Sequence, residues 1–388
     1  MAQNATYLDY NSGAPPRAQM LSVMGQVLGR EGNASSVHGS GRLARQSIET
    51  ARCQVAALAG ADPSAVVFTS GGTEANNTAL ANYAPSQVIV SQIEHDSVYR
   101  AVPGALEVAV TSQGRVDLDS LREILVTVSG KAKNPLLVAV MLANNETGIL
   151  QPMEEIVALA REFGAKIHCD AVQAAGRMAL DIKALGVDSL SLSAHKLGGP
   201  QGIGALVLAK TAVSGGDGYV PLLRGGGQER GLRAGTENVA AIAGFGKAAE
   251  LAIGDLGDMS RIESLRDGLE TSVKECAPKV EIFGAGVARL ANTSCFALPN
   301  VSGETQVMAL DLAGIAISAG AACSSGRVEP SRVLRAMGVA EEIASGAIRV
   351  SLGWNSKKQD IDTFIENWHR LVPTSKASDK TSSPAVAA

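Results

Sequence analysis

The sequence predicts an α/β protein with a mostly parallel sheet sandwiched by helices, followed by a smaller α+β domain. Two patterns carry that expectation. Short apolar runs of strand type alternate with helical patterns between residues 65 and 209, and strands separated by helices require right-handed crossovers. From about Gly254 the alternation stops, and a long helical stretch at 260–275 leads into scattered short strands. A third pattern bears on function: five of the apolar runs end in a polar cluster.

The elements follow in order. Residues 65–69 read as a strand, then a Ser-Gly-Gly turn and a helix from about Thr73. Residues 87–92 and 136–142 are further strands, and 152–163 is a helix. Residues 166–169, 189–193 and 203–209 complete the first set of strands, and 348–352 is a late one. We expect a large domain over 12–255 and a small one over 1–11 and 256–373. The tail 374–388 is Ser, Lys, Ala and Pro without periodicity and reads as disordered.

A net charge of −4 gives no basic surface for nucleic acid. The first ten residues lack a basic and then apolar signal, and no apolar run approaches the roughly 20 residues of a membrane span. The cysteines, at 53, 169, 276, 295 and 323, are odd in number and contain no CxxC pair. That argues against a disulfide framework or a zinc site and fits a reducing cytoplasm. Cys53, Cys276 and Cys295 read as packing residues.

The strand ends carry the chemistry. Ser70-Gly71-Gly72-Thr73 opens a helix, where backbone N–H groups and the dipole suit a phosphate; an ordinary turn capped by Thr73 competes. Glu94-His95 places an imidazole one step past a strand, for ring stacking or proton transfer, or simply in a loop. Asn144-Asn145 offers amides for a ligand carboxylate, or a turn. Asp170, aimed into a dry cleft, needs a cation such as a protonated ring nitrogen, unless it caps a helix. Gln173 lies three residues on. Ser193-Ala194-His195-Lys196 ends the fifth run. A lysine there can form a Schiff base if desolvation and nearby positive charge depress its pKa. Alternate positions set Ser193 and His195 on one side, for phosphate, and Lys196 on the other. Successive strand ends form the edge where open α/β sheets bind ligands. Together the five suit pyridoxal 5′-phosphate.

Two features lie beyond that edge. Cys323 sits among Ala, Ser and Gly, with few neighbours to bury it, as a reactive thiol requires. Arg349 lies inside an alternating strand and needs a partner, either a substrate carboxylate or a structural one.

Taken together the chain resembles the cysteine desulfurases of the NifS/IscS type, within the class-V, fold-type I pyridoxal phosphate enzymes. The resemblance runs from Tyr7-Leu8-Asp9-Tyr10-Asn11 to about Leu352. It includes Asn33-Ala34-Ser35-Ser36-Val37-His38, Asn144-Asn145-Glu146-Thr147-Gly148, Asp170-Ala171-Val172-Gln173, Gly235-Thr236-Glu237-Asn238 and Ala322-Cys323-Ser324-Ser325. It implies that Lys196 holds the cofactor and moves protons at the substrate Cα, and that Asp170 pairs with the ring nitrogen. Gln173 would bond the ring hydroxyl and His95 would stack on the ring. Gly72, Thr73, Ser193 and His195 would hold the phosphate, joined by Thr236 from the second subunit of a homodimer. Asn145 and Arg349 would take the carboxylate of L-cysteine. Cys323 would receive the sulfur as a persulfide, leaving alanine, and pass it to an iron–sulfur scaffold or another acceptor protein. The spacing from Cys323 to Arg349 resembles the group with a long cysteine loop. Tyr10-Asn11-Ser12-Gly13-Ala14-Pro15 departs from the family's usual run near the substrate entrance, and Ala34 stands where proline is usual. A selenocysteine lyase or a transaminase of the same class is the alternative.

Overall fold

The computed structural model describes residues 6–130, 135–210, 220–319, 323–324, 327–328 and 331–372. For 323–324 and 327–328 the description is of the backbone only. The tail expected to be disordered lies outside the described residues.

The strands, in chain order, are β1 (Thr6–Tyr7), β2 (Val66–Thr69), β3 (Val88–Ser91), β4 (Leu106–Val108), β5 (Leu137–Met141), β6 (Lys166–Asp170), β7 (Ser189–Ser193) and β8 (Gly204–Leu208). They continue with β9 (Glu281–Phe283), β10 (Thr293–Ala297), β11 (Ile315–Ala316), β12 (Ser318–Ala319), β13 (Cys323–Ser324), β14 (Arg327–Val328) and β15 (Ala347–Ser351). Seven of them form the large sheet, ordered β2-β8-β7-β6-β5-β3-β4. Every residue of β2, β3, β5, β7 and β8 is buried, as expected of strands covered by helices on both faces.

Two features depart from the sequence reading. β8 runs antiparallel to both of its neighbours, because β7 reaches it through one short turn rather than a crossover helix. β4, a three-residue edge strand, is too short and too polar to stand out in the sequence. Because β8 lies between them, β2 and β7 point the same way as the central parallel strands. The C-terminal ends of β2, β3, β5, β6 and β7 therefore share one edge.

The main core lies between this sheet and helices that include Gly39–Ala59 and Val239–Gly254. Those two helices touch closely: a Cβ on Gly246 would come within 2.5 Å of Ala51 Cα, so glycine is required there. The face that places Ala51, Arg52 and Val55 inward turns Cys53 outward. Cys53 is exposed, contrary to its expected packing role, whereas Cys276 is partly buried and Cys295 fully buried.

A second core forms around the antiparallel sheet β12-β15-β10-β9. Phe296 meets Trp368 edge to face at 5.6 Å, and Trp368 donates from Nε1 to Gln306. Leu8 belongs to this core, and β1 pairs in parallel with β11. The start of the chain thus crosses from the second core to the edge of the large sheet. β13 and β14 pair as an antiparallel hairpin between β12 and the helix Arg332–Ala336.

Candidate active site

The shared edge opens into a cleft of about 540 Å³. Gly72, Thr73, His95, Asn145, Asp170, Gln173, Ser193, His195, Lys196 and Arg349 all line it. Thr236 does not: it is exposed and borders a separate hollow with Thr69 and Gly202. Cys323 lies in β13, and its side chain is outside the described residues.

At one end of the cleft the turn after β2 delivers the helix Gly72–Leu80 with its N-terminus toward the opening. Gly72 packs tightly under this turn, where a Cβ would come within 2.9 Å of Val172. Glu74 stabilises the turn by accepting from the Ser70 N–H at 2.7 Å and pairing with Arg233. The first-turn N–H groups remain available to an anion.

Asp170, at the end of β6, is buried. Its Oδ1 accepts from the Val172 N–H at 3.0 Å, and its Oδ2 accepts from Asn76 Nδ2 at 2.7 Å. Asp170 therefore caps a turn, as the simpler alternative held, and also lines the cleft. His95 caps the short helix Asp96–Tyr99, its Nδ1 meeting the Ser97 hydroxyl at 2.8 Å. Gln173 donates to Asn11 O at 3.0 Å and accepts from Arg177.

The other wall is cationic. Lys196 rises from the single turn Ala194–Leu197, and its Nζ donates to the carbonyls of Asn11 and Ser12. Burial, then Arg177 and Arg349, lower its pKa to about 7, against the pull of Asp9 and Asp170. A lysine at that value is a usable nucleophile at neutral pH. His195 falls to about 4 through burial, Lys196 and Arg177, so it meets any anion as a neutral donor. The strand alternation invoked for Ser193, His195 and Lys196 ends at Ser193, because the chain turns helical there. All three still reach the cleft by way of that turn.

Arg349, in β15, donates to Asn145 O at 2.9 Å, to Asp9 Oδ1 at 2.8 Å and to Ser12 Oγ at 2.8 Å. The structural partner that competed with a substrate carboxylate is thus present in Asp9. Arg349 Nε is buried and has no partner among the described residues.

Behind these residues, Ser331 donates to Glu146 at 2.5 Å, and Arg332 covers the Tyr99 ring at 3.8 Å. Burial raises the Glu146 carboxyl to about 7, opposed by Ser331, Arg349 and Arg332.

Asn11, Asn76 and Arg177 were given no role from the sequence. Asn11 stands inside a motif quoted above, Asn76 lies three residues after Thr73, and Arg177 follows Gln173 by one helical turn's spacing. Only the fold reveals what each of them faces.

The aminotransferase class-V family model matches residues 6–364. A cysteine desulfurase of Cereibacter sphaeroides is 43% identical over 93% of this chain and 94% of its own length. The chain belongs to the cysteine desulfurase family of class-V aminotransferases. A NifS-like protein of Rickettsia africae has a structure similar to this one, with a TM-score of 0.86 at 37% identity, covering 95% of this chain and 99% of that one. SspA, solved in complex with cysteine, matches with a TM-score of 0.75 at 29% identity, covering 89% of this chain and 98% of that one. The class-V family is pyridoxal phosphate-dependent in general. Among the described residues no helix is long and apolar enough to cross a membrane.

Proposed function

We propose that the chain is a pyridoxal phosphate-dependent cysteine desulfurase, converting L-cysteine to L-alanine and carrying the sulfur on Cys323. One observation carries the reading: an amine with its pKa brought to about 7 faces the same cleft as a buried carboxylate and a helix N-terminus. Those residues suit the cofactor's chemistry. Lys196 would hold it, Asp170 would keep its ring nitrogen protonated, and Gln173 would address its ring hydroxyl. The N-terminal turn at Gly72 and Thr73, with Ser193 and neutral His195, would hold its phosphate. Bound there, the cofactor supplies the electron sink that makes a C–S bond breakable.

The chain's own residues do the rest. Arg349 orients the substrate carboxylate, with Nε as a donor that has no partner among the described residues, and Asn145 flanks it. Lys196 would move the proton at Cα, and His95, which lines the same cleft, would stack on the cofactor's ring. The Cys323 thiolate takes the sulfur: the C–S bond breaks, an S–S bond forms, and the carbon receives the electron pair and a proton. The persulfide then passes to an acceptor protein, such as an iron–sulfur scaffold. The exposed position of Thr236 supports a homodimer in which it serves the partner's phosphate site. The two cores support a large domain over 12–255, with 1–11 joining 256–373, and the absence of membrane helices among the described residues is compatible with a cytoplasmic enzyme.

The test supplies cysteine and a reductant and measures sulfide and alanine together. Equal amounts of both are expected, with both lost in Cys323→Ala. Alanine released at full rate by Cys323→Ala would overturn the reading. Faster turnover of selenocysteine that persists in Cys323→Ala would favour a lyase.

A further inference from the structure

We propose that Asn76 and Ser97 are positioning residues that direct the proton of the His95 imidazole to Nε2, the ring nitrogen left free for the cleft. The assignment deepens the reading of His95 as a cleft residue. It follows from a chain of hydrogen bonds in which each link fixes the next.

Asp170 is the starting point, because a carboxylate only accepts. Asn76, completely buried, must therefore turn its NH₂ toward Asp170 Oδ2, at 2.7 Å. The same NH₂ donates to Ser97 Oγ at 2.8 Å. Asn76 Oδ1 then points the other way, to His168 Nε2 at 3.0 Å, and requires a donor there. His168 is completely buried and its pKa is lowered to about 3 by that burial, so it is neutral and carries its single proton on Nε2. Its bare Nδ1 accepts from the Ser189 hydroxyl at 2.9 Å, and Ser191 Oγ stands 3.4 Å from Nε2. The orientation of Asn76 is thus secured from both ends.

On the other branch, the Ser97 oxygen already accepts from Asn76. Its own proton is left to point at His95 Nδ1, 2.8 Å away. The Ser97 backbone N–H donates to the same nitrogen at 3.1 Å. Two donors converge on His95 Nδ1, and a proton there would oppose both. The neutral ring carries its proton on Nε2, for which no protein partner exists among the described residues. The charge that serves one end of the cofactor site therefore also sets the proton on the residue beside it. His168, given no role from the sequence, becomes the far anchor of the chain of hydrogen bonds.

The test is nitrogen NMR of the cofactor-loaded enzyme labelled with ¹⁵N-histidine. The chain has five histidines, and His95 is assigned by the signal lost in His95→Gln. An excess of the Nε2–H form of roughly tenfold or more is expected, the worth of one or two hydrogen bonds. Ser97→Ala removes a single oxygen and should reduce that excess by about fivefold, whereas Ser97→Thr, which keeps the hydroxyl, should restore it. Asn76→Leu should reduce it as well. A wild-type His95 protonated on Nδ1, or an excess unchanged in Ser97→Ala, would overturn the proposal. An excess unchanged in Asn76→Leu would remove Asn76 from it. The readout needs no turnover, so it stands or falls separately from the proposed reaction.

Discussion

The two walls of the cleft handle charge in opposite ways. Around Asp170, polar groups are matched donor to acceptor through Asn76, Ser97 and His168, deep in the large sheet. Around Lys196, three cations crowd together, and among the described residues only Asp9 forms an ion pair with one of them. Arg177 donates to carbonyl oxygens of Gln173 and Tyr10, and its pKa is lowered by burial and by Arg349. A satisfied buried network is rigid, and an unsatisfied one is costly. The first wall is built to hold a charge in place. The second is built to make a lysine give up its proton.

The contrast can be broken from either side. The largest effect should come from Asp170→Ala, which removes the anion that organises its wall. A loss of kcat/KM on the order of a thousandfold is expected, measured as alanine release, since a buried charge network loses its central acceptor. Arg349→Lys keeps the charge but not the planar fork. It should raise KM for cysteine by roughly tenfold or more with a smaller change in kcat. Arg177→Met should leave the fold intact and raise the Lys196 midpoint from about 7 by about one pH unit, by removing a neighbouring cation. The pH dependence of Lys196 acetylation in cofactor-free protein, read by peptide mass, measures it. An unchanged midpoint would leave burial and Arg349 as the causes.

The smallest expected effect on catalysis lies behind the cleft wall. The folded state raises Glu146 from about 4.5 to about 7, so it favours the protonated form. The stability this group contributes is fully present below pH 4.5 and falls as pH rises toward 7. Glu146→Gln should flatten that part of the denaturation profile by about 3 kcal/mol.

Much of this site was legible in the sequence because each cluster closes a strand of buried type, and such strands in a parallel sheet share an edge. Gly72, His95, Asp170 and Lys196 could be placed in that way without knowing the order of the strands. The direction of β8 could not, since a short Gly-rich connection does not show that it skips a crossover. Asn76 and Arg177 escaped for a different reason. Their roles are set by what they face on β6, on the segment after β3, or on residues 10–11, and local spacing carries no record of that. Arg349 was visible as a charge within a strand, but its partner Asp9 lies 340 positions away.

The central claim is that Lys196 anchors the cofactor. Borohydride reduction of the purified enzyme, followed by proteolysis and peptide mass mapping, tests it directly. A phosphopyridoxyl group on Lys196, absent in Lys196→Ala, is the predicted result. A group on any other lysine, or on none, would contradict it.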